Sequence, residues 1–543
     1  MKLILIGHSY KYAVEQIMLA LFPGERPEYE GTERLTAQVA ETHEQAAAAS
    51  AQAAAAPEQA AAMPAQAAAM PAQAAAAHAQ AVAAPDPAPA ISAQSVLKYG
   101  NTYAQAITTI ERCGKKSRGT ARVSRDKLTD RLMTDRLLQR IVKQSFFRAA
   151  AAFVSGPPVW GSLTGIRPAK IAESALRSGA SSKAAGKKLT NDFYVSPERA
   201  HMCVDAALSA IAIKRTIEAH DVAVYIGIPF CPTRCAYCSF VSNSVEKSFT
   251  LIEPFTEALL NEIKEAAKVI HEHGLRVISV YIGGGTPTSL PDANLEMIMR
   301  AVDGSFDLSA VREYTVEAGR PDTITRGNLE IIKTMGAGRV CVNPQSMSAE
   351  VLSVIGRKHT PEHVIDAVNE VRRTGLTLNM DVIAGLPEDN YEGFALSLDT
   401  VLGFGPENVT VHTLSMKKGS RLMLDGTEKP DGASVARMLG YASDKLRGNN
   451  YTPYYLYRQK FTSGGFENTG WSLPGFECIY NVCMMEELCT VVSLGGGGVT
   501  KLVSPGGRIE RIFNAKYPRE YIMQSDKVKD KFRRIREIVS FQV

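Results

Sequence analysis

The sequence predicts an α/β fold: a partial (β/α)6 barrel between a mixed, largely helical N-terminal domain and a smaller α+β C-terminal domain. Three observations predict it. Short apolar runs alternate with longer amphipathic ones between residues 222 and 414, the pattern of parallel strands joined by crossover helices. Ala, Gln and Pro dominate residues 44–91 and part the chain there. The 543 residues are 45% hydrophobic and 22% charged, enough for several cores at roughly 100–200 residues per domain.

At the N-terminus, "KLILIG" reads as a strand and "AVEQIMLALF" as a helix with apolar spacing of three and four. Residues 44–91 carry a loose "AMPAQAA" repeat. Their prolines break helix and their side chains bury little, so they read as a disordered insertion without catalytic residues. The stretch 92–216 reads as helical, with "RLLQRIVKQSFFRAAAAFV" amphipathic and "SPERAHMCVDAALSAIAIKRTI" opening on a Ser cap. It joins 1–43 as the N-terminal domain.

The core, 217–430, offers six strands: 222–228, 277–283, 313–319, 339–344, 377–385 and 408–414. Helical stretches such as "FTEALLNEIKEAAKVIHEHG" and "PEHVIDAVNEVRRTG" separate them. Functional groups of a parallel sheet belong at its strands' C-terminal ends. Residues 431–543 form the C-terminal domain, with the helix "SVARMLGYASDKLRG", the Tyr-rich strand "YTPYYLYRQ", a Gly-rich loop and a basic terminal helix.

Net charge is +5, a solvated surface that permits an acidic small molecule and does not argue for nucleic acid. Nine cysteines over this length form no dense framework, so a reducing cytoplasm is expected. The start "MKLILIGHSYKYA" is too short in apolar residues for a signal peptide. No membrane span is expected.

Three cysteines crowd into "YIGIPFCPTRCAYCSF", residues 225–240, just past the first core strand. Thiolates at this spacing suit a soft metal or an iron–sulfur cluster. Zinc would call for a second pair farther along, and none follows. A [4Fe–4S] cube on Cys231, Cys235 and Cys238 leaves one iron open to a ligand, so a fourth cysteine is not required. The isolated Cys113, Cys203 and Cys341 read as buried core residues, and Cys478, Cys483 and Cys489 as core packing.

Ligand-facing groups follow at later strand ends. "GGGTPTSL" supplies Gly283, Gly284, Gly285 and Thr286, where glycine lets backbone approach a ligand. Glu317 ends strand three, "NPQSM" at the end of strand four offers Gln345, and strand five carries Asp381 between apolar neighbours. Arg357, in "IGRKHT", is a fixed cation suited to a carboxylate. Asp381 either faces a ligand or pairs structurally with Arg357.

Cys231-x-x-x-Cys235-x-x-Cys238, with Tyr237 inside it, resembles the signature of radical S-adenosylmethionine (SAM) enzymes. The resemblance implies that SAM's amino and carboxylate groups chelate the open iron, and that electron transfer to the sulfonium releases a 5′-deoxyadenosyl radical. The ordered set "YIGIPFC", "YIGGGTPTSL", "VEAGRPD", "NPQSM", "IGRKH" and "DVIAGLP" resembles the oxygen-independent coproporphyrinogen III oxidases. By position it implies SAM contacts from Tyr225, Gly284, Gly285, Thr286, Glu317, Gln345, Arg357 and Asp381, with Gly283 lining the same site. "WGSLTGIRPAKIAESAL" and "ENTGWSLPGFECIYNVCMMEE" resemble the Z-type coproporphyrinogen dehydrogenase branch in particular.

Two positions depart from the oxidase pattern. Phe240 stands where a fourth cysteine is usual, as in the heme-chaperone branch, and Gly227 stands where His is common. The resemblance therefore implies either oxidative decarboxylation of coproporphyrinogen III to protoporphyrinogen IX in heme biosynthesis, or heme delivery with His359 or His412 as ligand candidates. Radical chemistry on another substrate is the third reading. A tetrapyrrole substrate carries carboxylates, for which Arg458, Arg508, Arg511, Lys516 and Arg519 are candidate partners. A low-potential electron donor is implied but not named.

Overall fold

The computed structural model describes residues 1–30, 91–154, 156–238, 243–417, 419–428, 430–459, 462–504 and 508–539. The Ala-rich insertion, apart from its last residue, lies outside the described residues, as does Phe240. The chain forms two compact units, Met1–Thr164 and Gly165–Val543.

In the first unit β1 (Lys2–Ile6) pairs in parallel with β2 (Glu28–Tyr29) and β3 (Ile91–Tyr99). Antiparallel β4 (Tyr103–Arg112) and β5 (Lys115–Ser124) complete the order β2-β1-β3-β4-β5. The helix Lys11–Leu21 buries Ile17 and Met18, and Arg131–Ala150 buries Ile141, Val142 and Phe146. Asp130 caps the latter by accepting from Met133 N at 2.8 Å, which satisfies one orphan N–H of the first turn.

Residues 91–124, expected to be helical, are thus three strands. Their period is two: Ile91, Ala93, Ser95 and Leu97 are buried and their neighbours are not. Alanine, lysine and glycine disguise the alternation in β4 and β5, because half of each strand faces solvent and the other half is small. Cys113, expected in the core, is exposed. It occupies the β4–β5 turn with φ 51° beside Gly114 at φ 75°, the left-handed pair of a tight hairpin.

The six core strands appear as β6 (Asp221–Ile228), β9 (Arg276–Gly284), β10 (Glu313–Glu317), β11 (Arg339–Cys341), β12 (Thr377–Ala384) and β13 (Asn408–Thr413), following one another in parallel. The short β7 (Phe230–Cys231) and β8 (Asn243–Ser244) pair outside this sheet. Helices such as Ile252–Glu272 and Pro361–Thr374 connect the core strands. The second starts with a capping box between Thr360 and His363 and a Pro at its first position, where the missing N–H costs nothing.

The C-terminal segment enters the same sheet at both edges. On β13 lie β15 (Glu467–Ser472) and, beyond it, β14 (Thr452–Arg458). On β6 lies β16 (Thr490–Gly495), in parallel, followed by β17 (Val499–Val503) and β18 (Ile509–Phe513). The result is one 11-stranded sheet. Residues 431–543, expected as a domain of their own, share this sheet. The helices Ala169–Arg177, Ser182–Phe193 and Pro197–Arg215, expected with the N-terminus, belong to the second unit.

The segment before the helix Ile479–Glu486 closes the N-terminal ends of the core strands. Glu313 accepts from Cys478 Sγ at 3.0 Å and Ile479 N at 2.5 Å. Arg339 pairs with Glu313 at 2.9 Å and, with Asn408, donates to Phe476 O. From this floor Tyr480 stacks upward on Tyr281 and Tyr225, at 4.5 and 5.6 Å between ring centroids. Cys478, Cys483 and Cys489 are buried in that core.

β16 also explains Gly227. A Cβ there would stand 2.5 Å from Gly496 O, because the Gly495–Gly498 turn crosses directly over it. Gly496 N donates to Gly227 O at 2.9 Å. The room for a side chain at this position is filled by the C-terminal segment's backbone. Gly227→His is expected to destabilise the fold by about 2 kcal/mol, as overpacking against rigid backbone does, read as a lower urea midpoint.

Candidate active site

The cysteine loop leaves β6 at Pro229 and turns on Phe230, which is fully buried edge-on against Phe255 at 5.3 Å. Residues between the cysteines anchor it. Ala236 N donates to Ile355 O at 2.9 Å, and Leu422 N donates to Ala236 O at 3.1 Å. Thr233 Oγ1 donates to Gly356 O at 3.2 Å and Arg234 Nη2 to Gly419 O at 2.8 Å. Tyr237 packs on the core of Leu352, Ile355, Leu414 and Met416. Alternate side chains thus enter the barrel wall while the three thiols stay half-exposed.

Each thiol meets a different neighbour. Thr286 Oγ1 lies 3.5 Å from Cys231 Sγ, Arg320 Nη1 lies 3.8 Å from Cys235 Sγ, and Lys417 faces the charge of Cys238. The buried Arg357 guanidinium interacts electrostatically with Cys235 and Tyr237. Among the described residues no three His, Cys, Asp or Glu side chains converge on a single-ion site. A cube differs from one ion in this respect: each thiolate takes its own iron, so the sulfurs stand apart.

The Gly-rich turn lies against this loop. Gly284 has φ 112°, a conformation L side chains rarely adopt. A Cβ on Gly285 would meet Phe230 O at 2.3 Å and Cys231 Sγ at 3.0 Å. Glu317 ends β10 with its carboxylate accepting from Tyr281 OH at 2.6 Å and Gly284 N at 3.2 Å. Burial, with the charge of Asp381 added, pushes its pKa up to about 7.

Gln345 has φ 69° and bridges to β12, its N donating to Asp381 O at 3.0 Å. Asp381 accepts from Asn379 Nδ2 at 2.9 Å and lies 3.3 Å from His412 Nε2. Arg357 is not its partner: the guanidinium donates to Asn343 O at 2.5 Å. Tyr225 sits one layer below the strand ends, within the stack of Tyr281 and Tyr480. The expected SAM-site residues therefore cluster on the C-terminal side of the core strands, with Tyr225 beneath them.

Other expected residues do not meet. Arg458 ends β14, where it donates to Gly465 O at 2.9 Å, and Arg511 lies in β18, paired with Glu487 at 2.7 Å, at opposite edges of the sheet. Arg508, Lys516 and Arg519 are exposed. His359 is 2% exposed, too deep to meet a flat macrocycle. No local spacing in the sequence places Arg320 against Cys235 or Tyr281 against Glu317; only the fold brings them there.

Residues 225–401 match the profile of the radical SAM superfamily. Over 370 residues, 67% of this chain and 74% of the other, the chain is 38% identical to the oxygen-independent coproporphyrinogen-III oxidase-like protein HemZ of Bacillus subtilis (strain 168). The chain belongs to the radical SAM superfamily. It is also 30% identical over 264 residues to the heme chaperone HemW of the same organism, covering 46% of this chain and 67% of that one. Among solved structures, the coproporphyrinogen III oxidase HemN of Escherichia coli aligns with TM-score 0.46 and 20% identity, over 59% of this chain and 72% of that one.

The radical SAM family uses a [4Fe–4S] cluster and SAM. The residues present fit both. Three thiols share one loop, and the Gly-rich turn brings its backbone directly against Cys231. Gln345 Oε1 and Asn343 Oδ1 are buried acceptors without a hydrogen-bond partner among the described residues, as suits a polar ligand between them.

Proposed function

We propose that this protein is a coproporphyrinogen III dehydrogenase of heme biosynthesis, converting two propionates to vinyls without oxygen. The observation that carries the chemistry is the joint placement of Cys231, Cys235 and Cys238 after β6 with Glu317 at the end of β10, Gln345 after β11 and Asp381 in the C-terminal half of β12. The substrate rests on the likeness to HemZ across 74% of its length. When bound, cluster and SAM supply one-electron reduction and hydrogen abstraction. The chain's part is to hold and orient them. Glu317 and Asp381 would accept hydrogen bonds from SAM's polar groups, and Gln345 Oε1 would add a third acceptor. Tyr281 holds the Glu317 carboxylate in place, and the stack beneath it keeps water from the floor.

The test is anaerobic: reconstituted protein with SAM, dithionite and coproporphyrinogen III, reading vinyl products and 5′-deoxyadenosine together. Matching amounts support the reading. An intact cluster with no vinyl product overturns it. Tight heme binding would then favour delivery of heme. That second reading draws on the likeness to HemW and on Phe240.

Glu317 makes SAM binding pH-dependent. Its folded pKa of about 7 stands above its ordinary 4.5. Between those values the folded chain binds the extra proton, so this group favours folding at low pH and that contribution is lost as pH rises through about 7. SAM affinity runs the opposite way: it is expected to rise as pH passes 7, when the carboxylate accepts from the ligand's amino group. Glu317→Gln is expected to weaken binding about tenfold, one charged hydrogen bond's worth, and to flatten the pH profile in calorimetric titration.

A further inference from the structure

We infer that Arg320, clamped by Asp322, is a positioning residue that sets the reduction potential of the cluster through the Cys235 thiolate. This rests on the reading that Cys231, Cys235 and Cys238 hold that cluster.

Arg320 follows the Glu317 strand end in "VEAGRPD" and is 2% exposed. One edge of its guanidinium is filled by Asp322: Nε and Nη2 each donate to a carboxylate oxygen at 2.9 Å. The remaining corner, Nη1, is thereby aimed at the cysteine loop. It donates to Thr233 Oγ1 at 3.0 Å and reaches Cys235 Sγ at 3.8 Å. A bidentate Arg–carboxylate pair leaves little rotational freedom, so the direction of Nη1 is set by the fold and not by the ligand.

A purely structural clamp would need only the Thr233 contact. The contact with sulfur does more. A cationic N–H on a ligating thiolate draws electron density from it and stabilises an added electron on the cluster, and hydrogen bonds to sulfur are among the factors that set such potentials. Burial matters to the size of the effect, because solvent does not screen a group that water hardly reaches. Arg357, also buried, interacts electrostatically with the same thiol. Of the two guanidiniums, Arg320 is the one with a hydrogen-bond contact to the sulfur and its own carboxylate clamp. His359 Nδ1 stands 3.9 Å behind that carboxylate.

The experiment uses the full chain, reconstituted anaerobically, without SAM or substrate. Iron and sulfide are counted first. Each protein is then titrated with dithionite in the presence of mediator dyes, and the reduced cluster is followed by electron paramagnetic resonance. Arg320→Gln and the pair Arg320→Gln/Asp322→Asn, which removes both charges, are expected to keep the cluster and lower its potential. One charged hydrogen bond changes an equilibrium about tenfold, equal to about 59 mV for a one-electron couple. Arg320→Lys, which keeps the cation and loses the planar fork, is expected between these and the wild type.

A cluster of full iron content whose potential is unchanged in Arg320→Gln and in the double variant overturns the inference while leaving the cluster reading intact. Should both fail to take up iron, Arg320→Lys decides: a lowered potential supports the role, and a wild-type potential overturns it. A wild-type chain that takes up no cluster overturns the underlying reading itself.

Discussion

Cys235→Ala is expected to fold and to hold no stable cluster: iron and sulfide fall to background, the charge-transfer absorption disappears, and vinyl product is lost with it. The reason is local. Cys235 lies between two anchors, Thr233 on Gly356 and Ala236 on Ile355, so no other thiol can swing into its place. Cys341, Cys478 and Cys483 are buried, Cys341 against Tyr281 OH at 4.0 Å and Cys478 against Glu313 at 3.0 Å. The fold should persist because the loop is held by those backbone and Thr contacts and by the burial of Phe230, not by the thiol. A Cys235→Ala protein that keeps a [4Fe–4S] spectrum would remove this cysteine from the ligand set.

Lys531→Met is expected to lower stability by about 3–5 kcal/mol, the usual cost of stranding one member of a buried ion pair. Lys531 is 3% exposed and its ammonium lies 2.8 Å from Glu262, which is itself buried. Burial holds the lysine pKa below its ordinary value. The same carboxylate accepts from Gly495 N at 2.7 Å, Asn514 Nδ2 at 2.9 Å and Tyr521 OH at 2.5 Å. One acid thus ties the terminal helix, Ser525–Val539, and the turn after β16 to the helix Ile252–Glu272. Urea denaturation of the variant should show the loss. Adding Glu262→Gln should restore part of it, since a neutral amide no longer needs a counter-charge. A midpoint equal to wild type would show that the pair contributes nothing net.

This pair marks where sequence reasoning stops. Glu262 stands in "FTEALLNEIKEAAKVIHEHG", whose apolar spacing predicts the helix but treats each acid as solvent-facing. The buried face of that helix includes Glu262 because a lysine 269 positions later folds back onto it. Gly227 is a similar case: its lack of a side chain looks like a lost histidine until the Gly495–Gly498 turn is seen above it. In the three strands of 91–124 most buried positions are Ala, Ser, Thr or Gly, whose alternation carries little apolar signal.

What the sequence by itself determined is the part with short-range physics. The period of apolar residues marks all six core strands and their connecting helices. The three cysteines lie within eight consecutive positions, so one loop presents them whatever else the chain does. The order of strand-end motifs places Glu317, Gln345 and Asp381 on one rim, because successive parallel strands must point the same way. Only the tertiary structure decided which distant groups meet that rim. Arg320 reaches Cys235 across 85 residues of sequence, and the floor of the barrel comes from Phe476, Cys478 and Ile479, 68 to 166 positions beyond the strand residues they close on. Long-range contacts of this kind depend on which buried polar group finds a partner and how much room the backbone leaves, and neither is written in any local spacing.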